Sequence, residues 1–305
     1  MRLVTRSDFD GLACAVLLKE IGLIDDYLFA HPKDIQDGKV DVTENDVLAN
    51  VPYAPGCGLW FDHHSSEKQR LGEDVRFEGM SRPLKSCARV IWEYYGGESR
   101  FPERLQPMLE AVDKVDSAEL TSEEITDPEG WILLGYIMDP RTGLGRFRDY
   151  RISNYQLMLD MIEYCRTLDA EAILAVDDVR ERVERYHEQN AAFRRMLEDC
   201  ADAVGDCIRI DLRDQETIYA GNRFLVYTMF PQCNVSLQII WGFRKQNVVF
   251  TVGHSILNRT CEVDVGNLML DYGGGGHRAV GTCQIAHEDA ERVEAELLEK
   301  LSGRG

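Results

Sequence analysis

Four stretches of the sequence gather residues able to do chemistry. Ser7-Asp8-Phe9-Asp10-Gly11 sets two carboxylates between the apolar Leu3-Val4-Thr5 and the apolar run Leu12–Leu18. If a strand passes into a helix there, both acids stand at the strand end where open α/β sheets bind ligands; the plainer reading is that Asp10 caps the following helix. Phe61-Asp62-His63-His64 ends another apolar run, Leu59-Trp60-Phe61. Three successive ionisable groups are costly to bury without a partner, and a cation is such a partner; otherwise the two histidines are surface residues. Imidazole and carboxylate without thiolate suit Mn²⁺, with Mg²⁺, Fe²⁺ or Co²⁺ also compatible. A third acidic stretch, Asp113-Lys114-Val115-Asp116, follows the apolar Met108, Leu109 and Val112. Either aspartate could complete a coordination shell; the alternative is a solvated helix end. The fourth is Tyr272-Gly273-Gly274-Gly275-Gly276-His277-Arg278. Successive glycines let backbone N–H groups approach an anion closely, and His277 and Arg278 would add donors to phosphate oxygens. Asn258-Arg259 and Arg244-Lys245 are further sources of positive charge.

The elements that must position these groups follow from periodicity and turn signals. Short apolar runs at Leu3–Thr5, Tyr27–Ala30, Val47–Ala49 and Leu59–Phe61 predict strands, with Leu12–Leu18 a helix ended near Gly22. This is the opening of an open, mostly parallel α/β sheet flanked by helices, which are expected at about 86–95, 102–112 and 155–165. Residues 169–199 lack Pro and Gly and are rich in Glu and Arg at i,i+4, which predicts one long connector helix. Strands are expected again at 207–212, 224–229, 235–241 and 248–252, then a helix at 265–270 and a closing helix within 289–301. The second half is thus a smaller α/β domain with a mixed sheet.

At 305 residues, two domains are expected rather than one. The formal charge of −19 repels long polyanions, so broad nucleic-acid binding is not expected, whereas a small phosphorylated molecule is compatible with a cation and a few arginines in a cleft. No run has the length of a membrane span and no apolar signal region follows Met1, so a cytosolic protein without membrane contact is expected. The nine cysteines, at 14, 57, 87, 165, 200, 207, 233, 261 and 283, form no CxxC pair and read as reduced packing thiols.

The D-x-D-G of Asp8–Gly11, the Asp62-His63-His64 triplet, the later acidic site and the glycines before His277 occur in this order. Together they resemble the DHH superfamily of phosphoesterases, and most nearly its exopolyphosphatase-related, RecJ-like and nanoRNase-type members. The resemblance covers both halves. It implies a metal-binding catalytic domain over residues 1–167, a connector helix over 168–204 and a substrate-binding domain over 205–305, with substrate held between the domains. It also implies a pair of divalent ions, usually manganese, that activate water for attack on phosphorus. Asp8, Asp10 and His63 would be ligands, Asp62 would support His63, and Asp113 or Asp116 would be the late acidic ligand. His64 would contact the phosphate or assist proton transfer. Gly273, Gly274, Gly275, Gly276 and His277, with Arg259 and Arg278, would hold the far phosphate or nucleotide.

Two positions depart from the family's pattern. Arg6 stands where a histidine ligand is expected, and Asn50 where a bridging aspartate is expected. Both missing ligands belong to one metal position. The expectation is therefore that this position is lost or weakened, with the Arg6 guanidinium paired to Asp8 where the absent cation would sit; the plainer reading is that Arg6 bridges a surface acid. The function implied is metal-dependent hydrolysis of a nucleotide, short oligonucleotide or short polyphosphate. Its rival is a degenerate scaffold that binds without hydrolysis. A homodimer is the assembly entertained.

Overall fold

Short β-branched and aromatic runs bounded by turn residues open the chain and pair as a five-stranded sheet. Its strands are β1 (Arg2–Thr5), β2 (Asp26–Phe29), β3 (Asp46–Ala49), β4 (Leu59–Asp62) and β5 (Gly79–Ser81). The order is β2-β1-β3-β4-β5 and every neighbouring pair is parallel. Consecutive residues along these strands point to opposite faces, and Leu3 with Val4, Val47 with Leu48 and Trp60 with Phe61 are all buried, so both faces are covered. The chain leaves β1 for β2 on one side and returns to β3 on the other. The strand order thus reverses between β1 and β3, and the carboxyl ends of such strands frame a crevice.

The computed structural model describes residues 1–64, 67, 70–72 and 75–303. The chain divides into one unit of Met1–Glu119 with Pro128–Arg185 and another of Leu120–Asp127 with Tyr186–Gly305. In the first, the helix Phe9–Glu20 is buried at every position from Phe9 to Leu18 and packs against the helices Cys87–Tyr94, Gln106–Asp116 and Asn154–Thr167. A helix apolar all round belongs inside a fold. Val4, Ile35, Leu48, Val51 and Trp60 form a further core cluster of the same unit.

The second unit carries a mixed sheet of β6 (Ala201–Val204), β7 (Cys207–Asp211), β8 (Val235–Trp241), β9 (Val248–His254), β10 (Gly275–His277) and β11 (Val280–Ile285). Their order is β10-β11-β9-β8-β7-β6; β7 and β8 run parallel, and the other pairs antiparallel. The helices Val265–Leu270 and Ala290–Leu301 share its core. Among the described residues no helix is long and apolar enough to cross a membrane.

Three elements differ from the sequence expectation. The connector is two helices, Ala170–Leu174 and Asp177–Cys200. Asp169 caps the first through the Ala172 N–H, and Asp177 and Asp178 occupy the first turn of the second, where the helix dipole favours acids. The expected strand at 224–229 is the helix Leu225–Met229, because Asn222 accepts the Phe224 N–H through its side chain and the Leu225 N–H through its carbonyl and so starts a turn. The expected helix at 102–112 begins as a 3₁₀ turn and continues as Gln106–Asp116, so Asp113 and Asp116 lie within the helix.

Candidate active site

Four chain segments meet at the carboxyl ends of β1, β3 and β4. Asp8 is the N-cap of the helix Phe9–Glu20, its Oδ1 accepting the Gly11 N–H at 2.9 Å. The turn is tight, for a Cβ at Gly11 would strike the Arg6 carbonyl oxygen. Asp10 is not the cap of its own helix. It is buried and reaches to the N-terminus of the helix Cys87–Tyr94, where its two oxygens accept the Cys87 and Ala88 N–H groups at 2.9 and 2.8 Å. Past β3, Asn50 adopts φ 56° and donates its backbone N–H to the Phe61 carbonyl. Its side-chain Nδ2 donates to Asp8 Oδ1 at 3.1 Å, while Arg6 Nε lies 3.0 Å from Asp8 Oδ2.

His63 follows β4. Its Nδ1 lies 3.3 Å from the Leu84 carbonyl, a contact that requires the proton on Nδ1 and leaves Nε2 as a bare lone pair. That Nε2 is buried without a hydrogen-bond partner among the described residues, 3.2 Å from Asp116 Oδ2 and 3.8 Å from Asp10 Oδ2. One ligand atom each from Asp10, His63 and Asp116 fall within 4.8 Å of one another. An imidazole lone pair facing two carboxylates is acceptor against acceptor, and a divalent cation resolves it; the donor set fits one. The charges agree. Burial first, and then the charge of Asp8, pushes Asp10 up to about 7. Burial first, and then the charge of Asp10, pushes Asp116 up to about 7. Burial holds His63 below the usual histidine range, neutral and able to ligate.

Asp62 and His64 make a second pair, with His64 Nδ1 and Asp62 Oδ1 2.8 Å apart. Asp62 is fully buried and its Oδ2 has no hydrogen-bond partner among the described residues. Burial works against a charged His64, but the hydrogen bond to Asp62 and the charges of Asp62, Asp116 and Asp10 outweigh it and raise its pKa.

Asp113 does not join the cluster. Its Oδ1 accepts from Ser86 Oγ at 2.7 Å, and its Oδ2 accepts from Arg89 Nε and Nη2 at 2.8 and 2.6 Å. Ser86 is in turn the N-cap of the helix Cys87–Tyr94, so Asp113 braces the helix whose amides hold Asp10. Arg141 escaped the sequence reading. It sits in the 3₁₀ turn Pro140–Thr142, with Nε bonded to both oxygens of buried Asp139 at 2.8 and 3.0 Å. Burial opposes its charge, but Asp139, and then the more distant charges of Asp8 and Asp116, hold its pKa above the ordinary value. The available signal was Asp139-Pro140, a turn dipeptide after the apolar Trp131–Met138.

In the second unit the glycines have a structural task. Gly273 takes φ 71°, and a Cβ at Gly274 or Gly276 would strike the Thr282 or Val280 carbonyl of the adjacent strand β11. The expected loop is therefore partly the strand β10, paired antiparallel with β11. His277 and Arg278 are exposed at its turn, and Arg259 is exposed with Nε donating to the Ile256 carbonyl.

A scan against protein-family models found no match, and a search of curated proteins found none either. Among solved structures, the chain is similar to the pGpG-specific phosphodiesterase PggH from Vibrio cholerae. The two are 50% identical over 100% of this chain and 99% of that one, with a TM-score of 0.90. The chain belongs to the DHH superfamily of phosphoesterases. It shares the fold, at 14% identity, with an exopolyphosphatase-related protein from Bacteroides fragilis, with a TM-score of 0.54 over 99% of this chain and 92% of that one. It shares it likewise, at 13% identity, with the DHH domain of a member of a family of ribosomal proteins, with a TM-score of 0.59 over 99% of this chain and 86% of that one. This DHH phosphoesterase is a hydrolase of phosphoric esters, and the residues gathered at Asp10, His63 and Asp116 suit the metal dependence of its chemistry.

Proposed function

We propose that this phosphoesterase cleaves the phosphodiester of a short linear dinucleotide of the pGpG type, releasing two mononucleotides. The observation that carries this reading is the full-length, 50% identity to a phosphodiesterase of that specificity. The net charge of −19 supports a small substrate over a long polyanion, because it opposes the counterion-release binding that long nucleic acids use. The nine free cysteines suit a reducing compartment, and we place the enzyme in the cytosol.

Asp10, His63 and Asp116 would hold the cation, for which Mn²⁺ suits the mixed nitrogen and oxygen donors. When bound, a divalent cation lowers the pKa of water and offsets charge developing on the phosphoryl oxygens. The chain's own residues do the rest. The amides of Cys87 and Ala88 fix Asp10, and the Leu84 carbonyl fixes the tautomer of His63. In hydrolysis, a water oxygen bonds to phosphorus and releases one proton to solvent, from which His64 is reprotonated, as the bond from phosphorus to the 3′ oxygen breaks. His64, whose pKa burial lowers but the Asp62 hydrogen bond and neighbouring carboxylates raise, would give its proton to that leaving oxygen. Arg141, oriented by Asp139 and within the field of Asp8 and Asp116, is assigned to the phosphoryl charge. In the second unit, exposed His277, Arg278 and Arg259 offer donors suited to a phosphate.

The test is incubation of purified enzyme and Mn²⁺ with pGpG, a cyclic dinucleotide, longer oligonucleotides and short polyphosphate, with products resolved by ion-exchange chromatography. GMP from pGpG, lost in Asp10→Ala and His63→Ala, is the expected result. Intact pGpG beside consumption of another substrate would sink the reading.

A further inference from the structure

We infer that the centre takes one divalent cation per chain, and that Arg6 and Asn50 close the position beside Asp8 where a second would bind. The inference rests on the metal-dependent reading above. It begins from the acceptor capacity of Asp8, which is buried. Its Oδ1 takes the Gly11 N–H at 2.9 Å and Asn50 Nδ2 at 3.1 Å, and its Oδ2 faces Arg6 Nε at 3.0 Å. A cation at Asp8 would find three of about four acceptor sites taken, and the site left lies on the oxygen that already faces the Arg6 guanidinium.

The Asn50 amide is held in place rather than resting there. Its backbone takes a left-handed conformation, and its N–H is bound to the Phe61 carbonyl, which aims the side chain at Asp8. Among the described residues Asn50 Oδ1 is buried without a hydrogen-bond partner, but an amide oxygen brings no charge to a cation. The Arg6 guanidinium sets its positive charge 3.0 Å from Asp8 Oδ2.

Charge balance points the same way. Arg6 offsets Asp8, and one divalent cation offsets Asp10 and Asp116, the two carboxylates that share the His63 lone pair. A second dication at Asp8 would meet the guanidinium on the same carboxylate and leave the centre with excess positive charge. Arg6 therefore supplies, without exchange, the positive charge that another bound ion would bring, and the reaction's electrostatics depend on a single metal-binding event.

The test counts metal. Enzyme stripped with chelator, reloaded with Mn²⁺ and freed of excess is measured by inductively coupled plasma mass spectrometry. Its electron paramagnetic resonance spectrum is then recorded, because exchange coupling between neighbouring ions alters the pattern of an isolated one. One Mn²⁺ per chain with an isolated-ion spectrum is expected. The double substitution Arg6→His with Asn50→Asp, which removes the guanidinium and offers an imidazole and a carboxylate, is expected to raise uptake to two. Two ions per wild-type chain overturn the inference, as does a double variant with wild-type circular dichroism that stays at one. If that variant does not fold, the wild-type count decides alone. One bound ion with pGpG left intact would sink the substrate reading and leave this one standing, and two bound ions with pGpG cleaved would do the reverse.

Discussion

On the proposed function, Asp116→Asn separates two opposed roles of one carboxylate, costly to the metal-free protein and needed by the metal-loaded one. Without a cation, burial and the neighbouring Asp10 push Asp116 up to about 7. A carboxyl moved there from its ordinary range near ~3.9 disfavours the ionised form by about 4 kcal/mol at pH 8. The fold holds this proton longer than the unfolded chain does. The metal-free contribution to stability is therefore greatest below about pH 4, falls as pH rises from about 4 to 7, and is level above that. Asparagine keeps the shape but buries an amide, at a cost of about 1–3 kcal/mol. The net gain for the variant at pH 8 in chelator is then about 1–3 kcal/mol, a rise in melting temperature of several degrees. At pH 5 the advantage disappears, because the wild-type carboxyl is already protonated. Mn²⁺ at about 1,000 times its Kd stabilises the wild type by about 4.1 kcal/mol and leaves the variant unmoved, so the order inverts. Thermal denaturation at pH 5 and pH 8, in chelator and in Mn²⁺, reads all four conditions. A variant less stable than wild type in chelator at pH 8, or an equal Mn²⁺ shift in both proteins, would refute the reasoning.

Arg89→Ala leaves Asp113 buried without its bidentate partner. A loss of about 3–5 kcal/mol is expected in urea denaturation, and a loss below about 1 kcal/mol would show that Asp113 braces nothing. Gly11→Ala sets a Cβ against the Arg6 carbonyl; the expected cost is about 1–3 kcal/mol, and an unchanged melting temperature would show slack in the turn. In the second unit, burial opposes the charge of Asp211, but hydrogen bonds from Arg213 and the charges of Arg213 and Arg209 hold its pKa below the usual range. Its stabilisation is present above the ordinary Asp range near ~3.9 and lost as pH falls through the depressed value, so Arg213→Met should lower stability at pH 6 and flatten the acid limb followed by circular dichroism. An unaltered acid limb would remove Asp211 from the account.

Much of the first unit was legible because its signals are local. Alternating apolar runs and turns gave β1, β3 and β4, and acids placed just past those runs had to stand at strand ends. Asp10 and His63 could be paired on that ground although 53 positions separate them, as the numbering shows. What local signals could not decide was which of two acids three residues apart turns inward. Asp113 and Asp116 share one helix, and the choice between them is made by Arg89 and Ser86, which belong to another. Arg141 was illegible for a related reason. Its relevance is electrostatic, arising from charges on Asp8 and Asp116 that are distant in sequence. The glycine cluster reads two ways, since the same missing Cβ atoms that would admit an anion also admit the carbonyls of β11.

The arrangement around Asp10 shows why this centre asks for a cation rather than a proton. Two helix N-terminal amides hydrogen-bond its carboxylate and lower its pKa, yet burial and the adjacent Asp8 outweigh them and leave it near 7. The amides fix the direction of both oxygens without satisfying the charge. A proton would satisfy the charge but occupy one of those oxygens, and would leave the His63 lone pair still facing Asp116. A divalent ion answers all three acceptors together, so the folded geometry selects for charge concentrated at one point. Arg6 cannot serve there because its guanidinium is already engaged with Asp8. The chain therefore keeps two kinds of positive charge apart: a permanent one that completes the turn at Asp8, and an exchangeable one that the Asp10, His63 and Asp116 atoms are left to recruit.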